Sequence, residues 1–315
     1  MKYILPIVGL ITLIIAIFAA IQFFSVNQTD IEDLEETLIT ELEDNTTQNE
    51  LDTDDEDISE IQESANQRTR EEVIGTSVSG NDIIAYNFGS GEETILLVGG
   101  IHGGFSYNTA ALGFEMVDYL ASIENSIPEN LTVTVVPVLN PDGLEKVTST
   151  TGRFNPSTIS VSESDRVAAR FNANNVDLNR NFDCNWQSEG MWRNQTVSGG
   201  SGVFSEPEAR AIQGLVQAHI PTAVVAWFAA AGEVYASSCN GTPSSRTQTL
   251  LNTYAAASGY NAQDAFDAYP VTGDMLDWLA DNNIPAISVL LSNHTSTELE
   301  RNKQALQAVL NLYGN

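Results

Sequence analysis

A short apolar run, Ile95-Leu-Leu-Val98, ends at Gly99-Gly100, and His102 follows with a second glycine pair behind it. This stretch constrains the fold more than any other. A buried strand that ends in glycines and presents a histidine can mount a metal ligand at the edge of a sheet. It equally fits a tight strand-to-helix turn whose histidine caps the helix that follows. Only three histidines occur in the chain, so the remaining sequence has to separate the two readings.

The segments around this stretch alternate in type. Ile83–Phe88, Thr94–Val98, Leu131–Val138, Thr222–Phe228 and Ala286–Leu291 have the β-branched, apolar character of strands. A Gly-Ser-Gly turn joins the first two. Helical apolar spacing marks Asn108–Ser122, Glu206–His219, Ser245–Ser258, Thr272–Asn282 and Thr297–Tyr313. Ser205 is the expected N-cap of the second helix, with Glu208 near the capping-box position, and Thr272 the expected cap of the fourth. Asn140-Pro-Asp-Gly143 is expected to be a turn. Leu144 to about Gly202 is a long irregular stretch, and such loops inside a domain usually carry function. Strands alternating with helices predict an α/β domain: a mixed, mostly parallel central sheet with helices on both faces.

This domain spans residues 70–315. Before it, Tyr3–Phe24 is an almost unbroken apolar run preceded by Lys2. About 20 apolar residues span a bilayer, and no clean small-x-small cleavage site follows Ala19-Ala20. Residues 1–26 are therefore expected to be a single-pass anchor with the C-terminal bulk outside the cell, or a secreted protein if the segment is cleaved. Residues 27–69 are expected to be a disordered acidic stalk, since Asn27–Asn66 lacks Lys, Arg and aromatic residues. The net charge of −29 excludes nucleic acid as a partner, because too little positive charge is present to neutralise phosphates. Cys184 and Cys239, the only cysteines, are expected to form a disulfide in an oxidising compartment. Asn130, Asn194, Asn240 and Asn293 open Asn-x-Ser/Thr sequences, informative only in a host that glycosylates.

Five separated motifs point further: Gly99-Gly-Ile-His-Gly-Gly104, Asn140-Pro-Asp-Gly143, Val176-Asp-Leu-Asn-Arg-Asn-Phe182, Phe204-Ser-Glu-Pro-Glu-Ala-Arg210 and Thr272-Gly-Asp-Met-Leu-Asp-Trp278. In order and spacing they resemble the zinc metallocarboxypeptidases of the carboxypeptidase A-like family, across essentially all of 70–315. That resemblance implies a zinc held by two His and one Glu, a further Glu as general base on the bound water, and an arginine-based clamp for the substrate's C-terminal carboxylate.

Carried over residue by residue, the first zinc histidine is His102. The ligand Glu falls at Phe105 or at Ser106, with Ser106 the better match. The second zinc histidine falls at Phe228. The general base falls at Leu290, or at Leu291 with a one-residue slip. The clamp is kept: Arg170, Asn179 and Arg180 match the arginine and the Asn-Arg pair, and Tyr269 the closing tyrosine. Leu276 falls near the specificity pocket, which would favour an apolar side chain. His219, His294, Glu233, Asp177 and Asp274 are the residues a relocated metal site could use. Asp177 would more plausibly orient His102 or a clamp arginine.

With Ser106, Phe228 and Leu290 in place of two metal ligands and the base, His102 is a remnant ligand. Zinc, the cofactor expected for the family, is not expected here, and no catalytic residue is assigned. The expected function is that of a catalytically inactive, extracellular relative that binds peptides or proteins with a free C-terminus. Two other classes stand beside it: an active zinc carboxypeptidase with a relocated metal site, and a passive cell-surface structural or adhesion protein.

Overall fold

A computed structural model describes residues 70–315. The expected anchor (1–26) and stalk (27–69) lie outside the described residues. Among the described residues no helix is long and apolar enough to cross a membrane.

The described residues form ten strands: β1 (Glu71–Thr76), β2 (Asp82–Gly89), β3 (Glu93–Val98), β4 (Leu131–Val136), β5 (Glu189–Trp192), β6 (Gln195–Ser198), β7 (Ala223–Ala229), β8 (Glu233–Ala236), β9 (Asn261–Gln263) and β10 (Ala286–Leu291). Eight of them form one sheet in the order β1-β2-β4-β3-β7-β10-β8-β9, and β5 and β6 pair as a separate hairpin. The centre of the large sheet, β4-β3-β7-β10, is parallel. Antiparallel pairings flank it on both sides. Among the described residues seven α-helices accompany the strands: α1 (Tyr107–Ile123), α2 (Pro141–Thr148), α3 (Glu163–Ala168), α4 (Pro207–His219), α5 (Ser245–Ser258), α6 (Met275–Asp281) and α7 (Leu299–Tyr313).

Alternation along the central strands sorts their side chains into two cores. Ile95, Leu97, Val225, Trp227, Ile287, Val289 and Leu291 pack with residues of α1, α5 and α7. Leu96, Val98, Val224, Ala226 and Phe228 pack on the opposite face with α4 and α6, and Leu290 lies against that second core. A strand's period of two makes this assignment unavoidable once one residue of each strand is placed. Phe228 and Leu290 are direct neighbours across β7 and β10. Leu291, the other residue weighed for the base position, faces away from them into the first core.

Several local expectations need correction. Asn140-Pro-Asp-Gly143 is the start of α2, not a free turn: Asn140 is the N-cap, accepting from the Gly143 N–H, and Pro141 takes the first helical position. Helix α4 starts at Pro207, with Glu206 rather than Ser205 in the cap position. Ser205 Oγ instead donates to Glu206 Oε1, and Glu208 accepts from the Val78 N–H and from Asn172, so neither caps the helix. Helix α6 starts at Met275 and is capped by Asp274, whose carboxylate accepts from the Leu276 and Asp277 N–H groups. Thr272 is excluded from capping because Gly273, at φ +65°, breaks the chain direction between it and the helix. Strands β1, β8 and β9 have no distinct signal in the sequence, being short and at the sheet margins. The long stretch after Leu144 holds α3 and the β5–β6 hairpin.

Candidate functional site

Strand β3 delivers its exit loop to the C-terminal edge of the parallel sheet, where open α/β sheets place their ligand crevices. The loop is clamped from several directions. Leu139 and Asn140 donate to the carbonyls of Gly99 and Gly100, and the Gly104 N–H donates to the Ala169 carbonyl. Gly103 adopts φ +44°, and a Cβ there would meet the Ala169 carbonyl oxygen and the Gly143 backbone, each at 2.8 Å. The two glycine pairs are thus required by close backbone approach. They bring the start of α2 and the chain before Arg170 against the histidine.

The other motifs join the same network. Asn140 Nδ2 donates to the Arg170 carbonyl, and Arg170 Nε donates to Asp177 Oδ2 at 2.9 Å. Asn179 Nδ2 donates to Asp274 Oδ2 at 2.5 Å, and Asn179 Oδ1 accepts from the Met275 N–H. The Phe182 N–H donates to the Gly273 carbonyl and the Gly273 N–H to that of Cys184. Asn181 Oδ1 accepts from the Glu206 N–H. Five stretches scattered over 180 residues of sequence therefore form one connected set of hydrogen bonds. The Cys184–Cys239 disulfide forms as expected and ties this set to the segment after β8.

His102 is 6 % exposed and neither ring nitrogen has a hydrogen-bond partner. Its Nε2 lies 3.7 Å from Asp177 Oδ1, beyond hydrogen-bond range, and its ring centroid 5.3 Å from that of Phe228. Burial, reinforced by Arg170, holds its pKa well below the ordinary histidine value, so the imidazole is neutral. Burial pushes the Asp177 carboxyl up, but Arg170 and Arg180 outweigh it and hold it at about 2. Asp177 therefore stays ionised and anchors Arg170, the role expected of it. Of the two positions for the ligand Glu, Phe105 faces the cavity, while Ser106 is fully buried with its hydroxyl unpartnered.

A cavity of about 560 Å³ opens beside His102, and Arg170, Asn179, Arg180, Tyr269, Phe228 and Leu290 all line it. Arg170 lies over the Trp192 ring at 4.4 Å, Arg180 faces the Tyr269 ring at 5.9 Å, and both guanidinium groups are buried. Arg180 donates to the carbonyls of Asn179 and Met191, yet its Nε has no partner. Asn179 is largely committed to holding α6, and it offers the cavity at most one further N–H.

Leu276 does not line the cavity; it is 1 % exposed within the second core. The cap at Asp274 sets the phase of α6, so Asp274 and Asp277, one helical turn apart, face the cavity instead. The expected apolar pocket is thus floored by two carboxyls. Burial and the neighbouring Asp274 raise Asp277 to about 7, and burial raises Asp274 as well. Among the residues weighed for a relocated site, Glu233 and His219 lie outside the cavity lining, and Glu233 accepts from Tyr235 and Gln263. His294 sits in the loop after β10, its ring 4.7 Å from that of Phe105. Burial and the guanidinium groups of Arg166 and Arg193 lower it to about 4.

Trp192, Arg193, Tyr235, Phe266 and Asp277 also line the cavity and had no distinguishing signal in the sequence. The first two sit at the turn of the β5–β6 hairpin, which folds back over the site from a stretch that has no periodicity of its own.

Fold and cavity together define a carboxypeptidase-like α/β domain, and the chain belongs to the zinc carboxypeptidase family, which its residues 55–308 match. Among curated proteins, it is 24 % identical over 248 residues to γ-D-glutamyl-L-diamino acid endopeptidase 1 of Lysinibacillus sphaericus, covering 71 % of this chain and 60 % of that protein. The chain thus spans about three fifths of the length of that relative. Among solved structures, the murein-tripeptide amidase MpaA of Escherichia coli O157 aligns with a TM-score of 0.55 at 24 % identity, over 78 % of this chain and 92 % of that one. The carboxypeptidase A of Helicoverpa armigera aligns with a TM-score of 0.59 at 18 % identity, over 79 % and 68 %.

The residues present do not fit the metal for which the family is named. A zinc site needs three protein donors of the imidazole, carboxylate or thiolate kind. Here one imidazole remains, and phenyl and isobutyl groups stand where the resemblance assigns a ligand and the base. Among the described residues no group of three His, Cys, Asp or Glu is placed to hold a metal ion.

Proposed function

We propose that this domain is a non-hydrolytic member of the zinc carboxypeptidase family that binds peptides or acyl-amino acids through a free C-terminal carboxylate, displayed outside the cell on its N-terminal segment. One observation carries the reading: the clamp residues Arg170, Asn179, Arg180 and Tyr269 meet at one cavity, beside the positions where catalysis would need donors and a base. Arg180 supplies the main attraction. It is a buried cation with an unpartnered Nε and, among the described residues, no carboxylate in ion-pair range, and an incoming carboxylate would relieve both deficits. Arg170 is already neutralised by Asp177 and acts as the wall that holds Trp192 in place. Tyr269 is stacked edge-on against Phe266 and packs against the Phe105–Trp192 cluster on which Arg170 also lies.

Hydrolysis has no route through these residues. His102 is neutral and has no proton-relay partner in range, and Leu290 cannot accept a proton. The names of the relatives, an amidase for murein tripeptide and an endopeptidase for γ-D-glutamyl-L-diamino acid bonds, make short peptides of that kind the first ligands to try.

Calorimetric titration with acetyl-Ala-Ala-Ala and with its C-terminal amide tests the proposal. The acid should bind and the amide should bind at least tenfold more weakly; equal affinity, or no heat with either, sinks the clamp. Metal analysis after dialysis tests the other half. Near-stoichiometric zinc that is lost in His102→Ala would overturn the inactive reading. The triple variant Ser106→Glu/Phe228→His/Leu290→Glu should gain both zinc and peptidase activity if the residue mapping is right.

A further inference from the structure

In a chain of net charge −29, with only 13 Lys and Arg in all, the guanidinium groups are unevenly spread. Arg166, Arg170 and Arg193 each lie 5.4–5.7 Å from the ring centroid of the single buried residue Phe105. Arg166 is paired with Glu163 and Arg170 with Asp177. Arg193 has neither an ion pair nor a side-chain hydrogen bond among the described residues. It lines the cavity, and it stacks 5.1 Å from the Trp192 ring, the same ring that carries Arg170. Two guanidinium groups thus share one indole. Only Arg170 of the two is in an ion pair among the described residues.

The hairpin places Arg193 there deliberately. It occupies the turn between β5 and β6 at φ +54°, a backbone conformation that a side chain of its size seldom takes. Arg180 faces a different ring, that of Tyr269, and is buried, whereas Arg193 is exposed. The cavity therefore presents two guanidinium groups with no carboxylate in ion-pair range among the described residues, although Asp177 and Asp274 feel the charge of Arg180 and Glu163 that of Arg193. The terminal carboxylate of the proposed ligand answers the first alone.

Resting on the clamp reading above, we propose that Arg193 is a specificity-determining residue that recognises a second carboxylate, so that the preferred ligands are acidic peptides or acyl-amino acids with one carboxylate at the C-terminus and another on the last or the preceding side chain. Arg193 is solvent-exposed, so its contribution is that of a rim charge: several-fold in affinity and weakened by salt.

Four probes test this by calorimetry on the full chain: acetyl-Glu-Ala against acetyl-Gln-Ala, and acetyl-Ala-Glu against acetyl-Ala-Gln. At least one glutamate ligand should bind about fivefold more tightly than its glutamine isostere at low salt, the range of an exposed ion pair. The preference should shrink in 0.5 M NaCl. In Arg193→Gln the preference should vanish while affinity for the glutamine ligand stays the same. Equal affinity within both pairs overturns the proposal and leaves the clamp standing. So does a preference that survives Arg193→Gln, or an equal loss for both members of a pair, which would mean that Arg193 only props Trp192. No binding of any probe overturns the clamp reading and this one with it. Near-ultraviolet circular dichroism of Trp192 reports whether the hairpin remains in place in the variant.

Discussion

Two buried polar clusters lie within this domain, and they are solved in opposite ways. One holds the carboxyls of Asp142, Glu206 and Glu208, each no more than 5 % exposed and none in an ion pair among the described residues. Donors surround all three. Asp142 accepts from Ser77 Oγ, the Ser79 N–H and Asn81 Nδ2. Glu206 accepts from Ser205 Oγ, Asn172 Nδ2 and Asn174 Nδ2. Glu208 accepts from the Val78 N–H and Asn172 Nδ2. The other cluster, beside the cavity, leaves both nitrogens of His102, the hydroxyl of Ser106 and Nε of Arg180 without partners.

Buried polar atoms are nearly always paired, because an unpaired one costs about 1–3 kcal/mol. The first cluster is self-sufficient, and folding alone accounts for it. The second is complete only with something the chain does not supply. That difference separates a structural polar core from a binding site more sharply than charge does, since the structural cluster is the more highly charged of the two.

The contrast breaks down if the two clusters respond alike to substitution. The largest effect should come from Asn172→Ala, which strips a donor from both Glu206 and Glu208; urea unfolding should show a loss of about 3 kcal/mol. His102→Leu should do the reverse, leaving stability unchanged or raising it by about 1 kcal/mol, because it removes two orphaned atoms and keeps the volume nearly filled. A loss comparable to that of Asn172→Ala would mean that His102 has a partner after all.

The pH dependence sharpens the same contrast. Unfolded imidazoles take up protons near 6.5, whereas burial delays His294 to about 4 and His102 also to lower pH. Between those values the unfolded chain holds more protons, so the contribution of both histidines is present above 6.5 and fades as the pH falls towards 4. Asp277 acts in the other direction. It is protonated in the folded state up to about 7 but ionised in the unfolded state above about 4, so its contribution is full below about 4 and fades as the pH rises from there to about 7. Asp277→Asn should therefore gain stability relative to the parent as the pH rises from about 4 to about 7 and hold that gain above it; a difference that does not change between about pH 4 and 7 would contradict the raised carboxyl. Ser106→Ala should have the smallest effect, within about 0.5 kcal/mol by thermal unfolding, since no hydrogen bond is lost.

Much of this architecture was legible in the chain. Strand parity alone puts Phe228 and Leu290 on the face opposite Trp227 and Leu291, because a period of two leaves no freedom once the strand is recognised. The glycine pairs around His102 announced a close backbone approach, and the two cysteines had only each other. Legibility failed where a segment's phase depended on distant groups. Leu276 was expected at the pocket, but Asp274 caps α6 while bonded to Asn179, 95 residues away, and this rotates Asp277 into the cavity in its place. Glu208 had the spacing of a capping residue, yet the Val78 N–H, 130 residues away, takes its carboxylate.

The sequence by itself determined the family and the strand faces, because these follow from ordered motifs and local periodicity. Only the tertiary structure decided that Asp274 and Asp277 floor the cavity, that Arg193 and Trp192 reach it from the hairpin, and that the polar atoms around His102 stay unpaired. Those outcomes depend on hydrogen bonds and ring contacts between segments far apart in the chain, and no local pattern encodes where two distant segments meet.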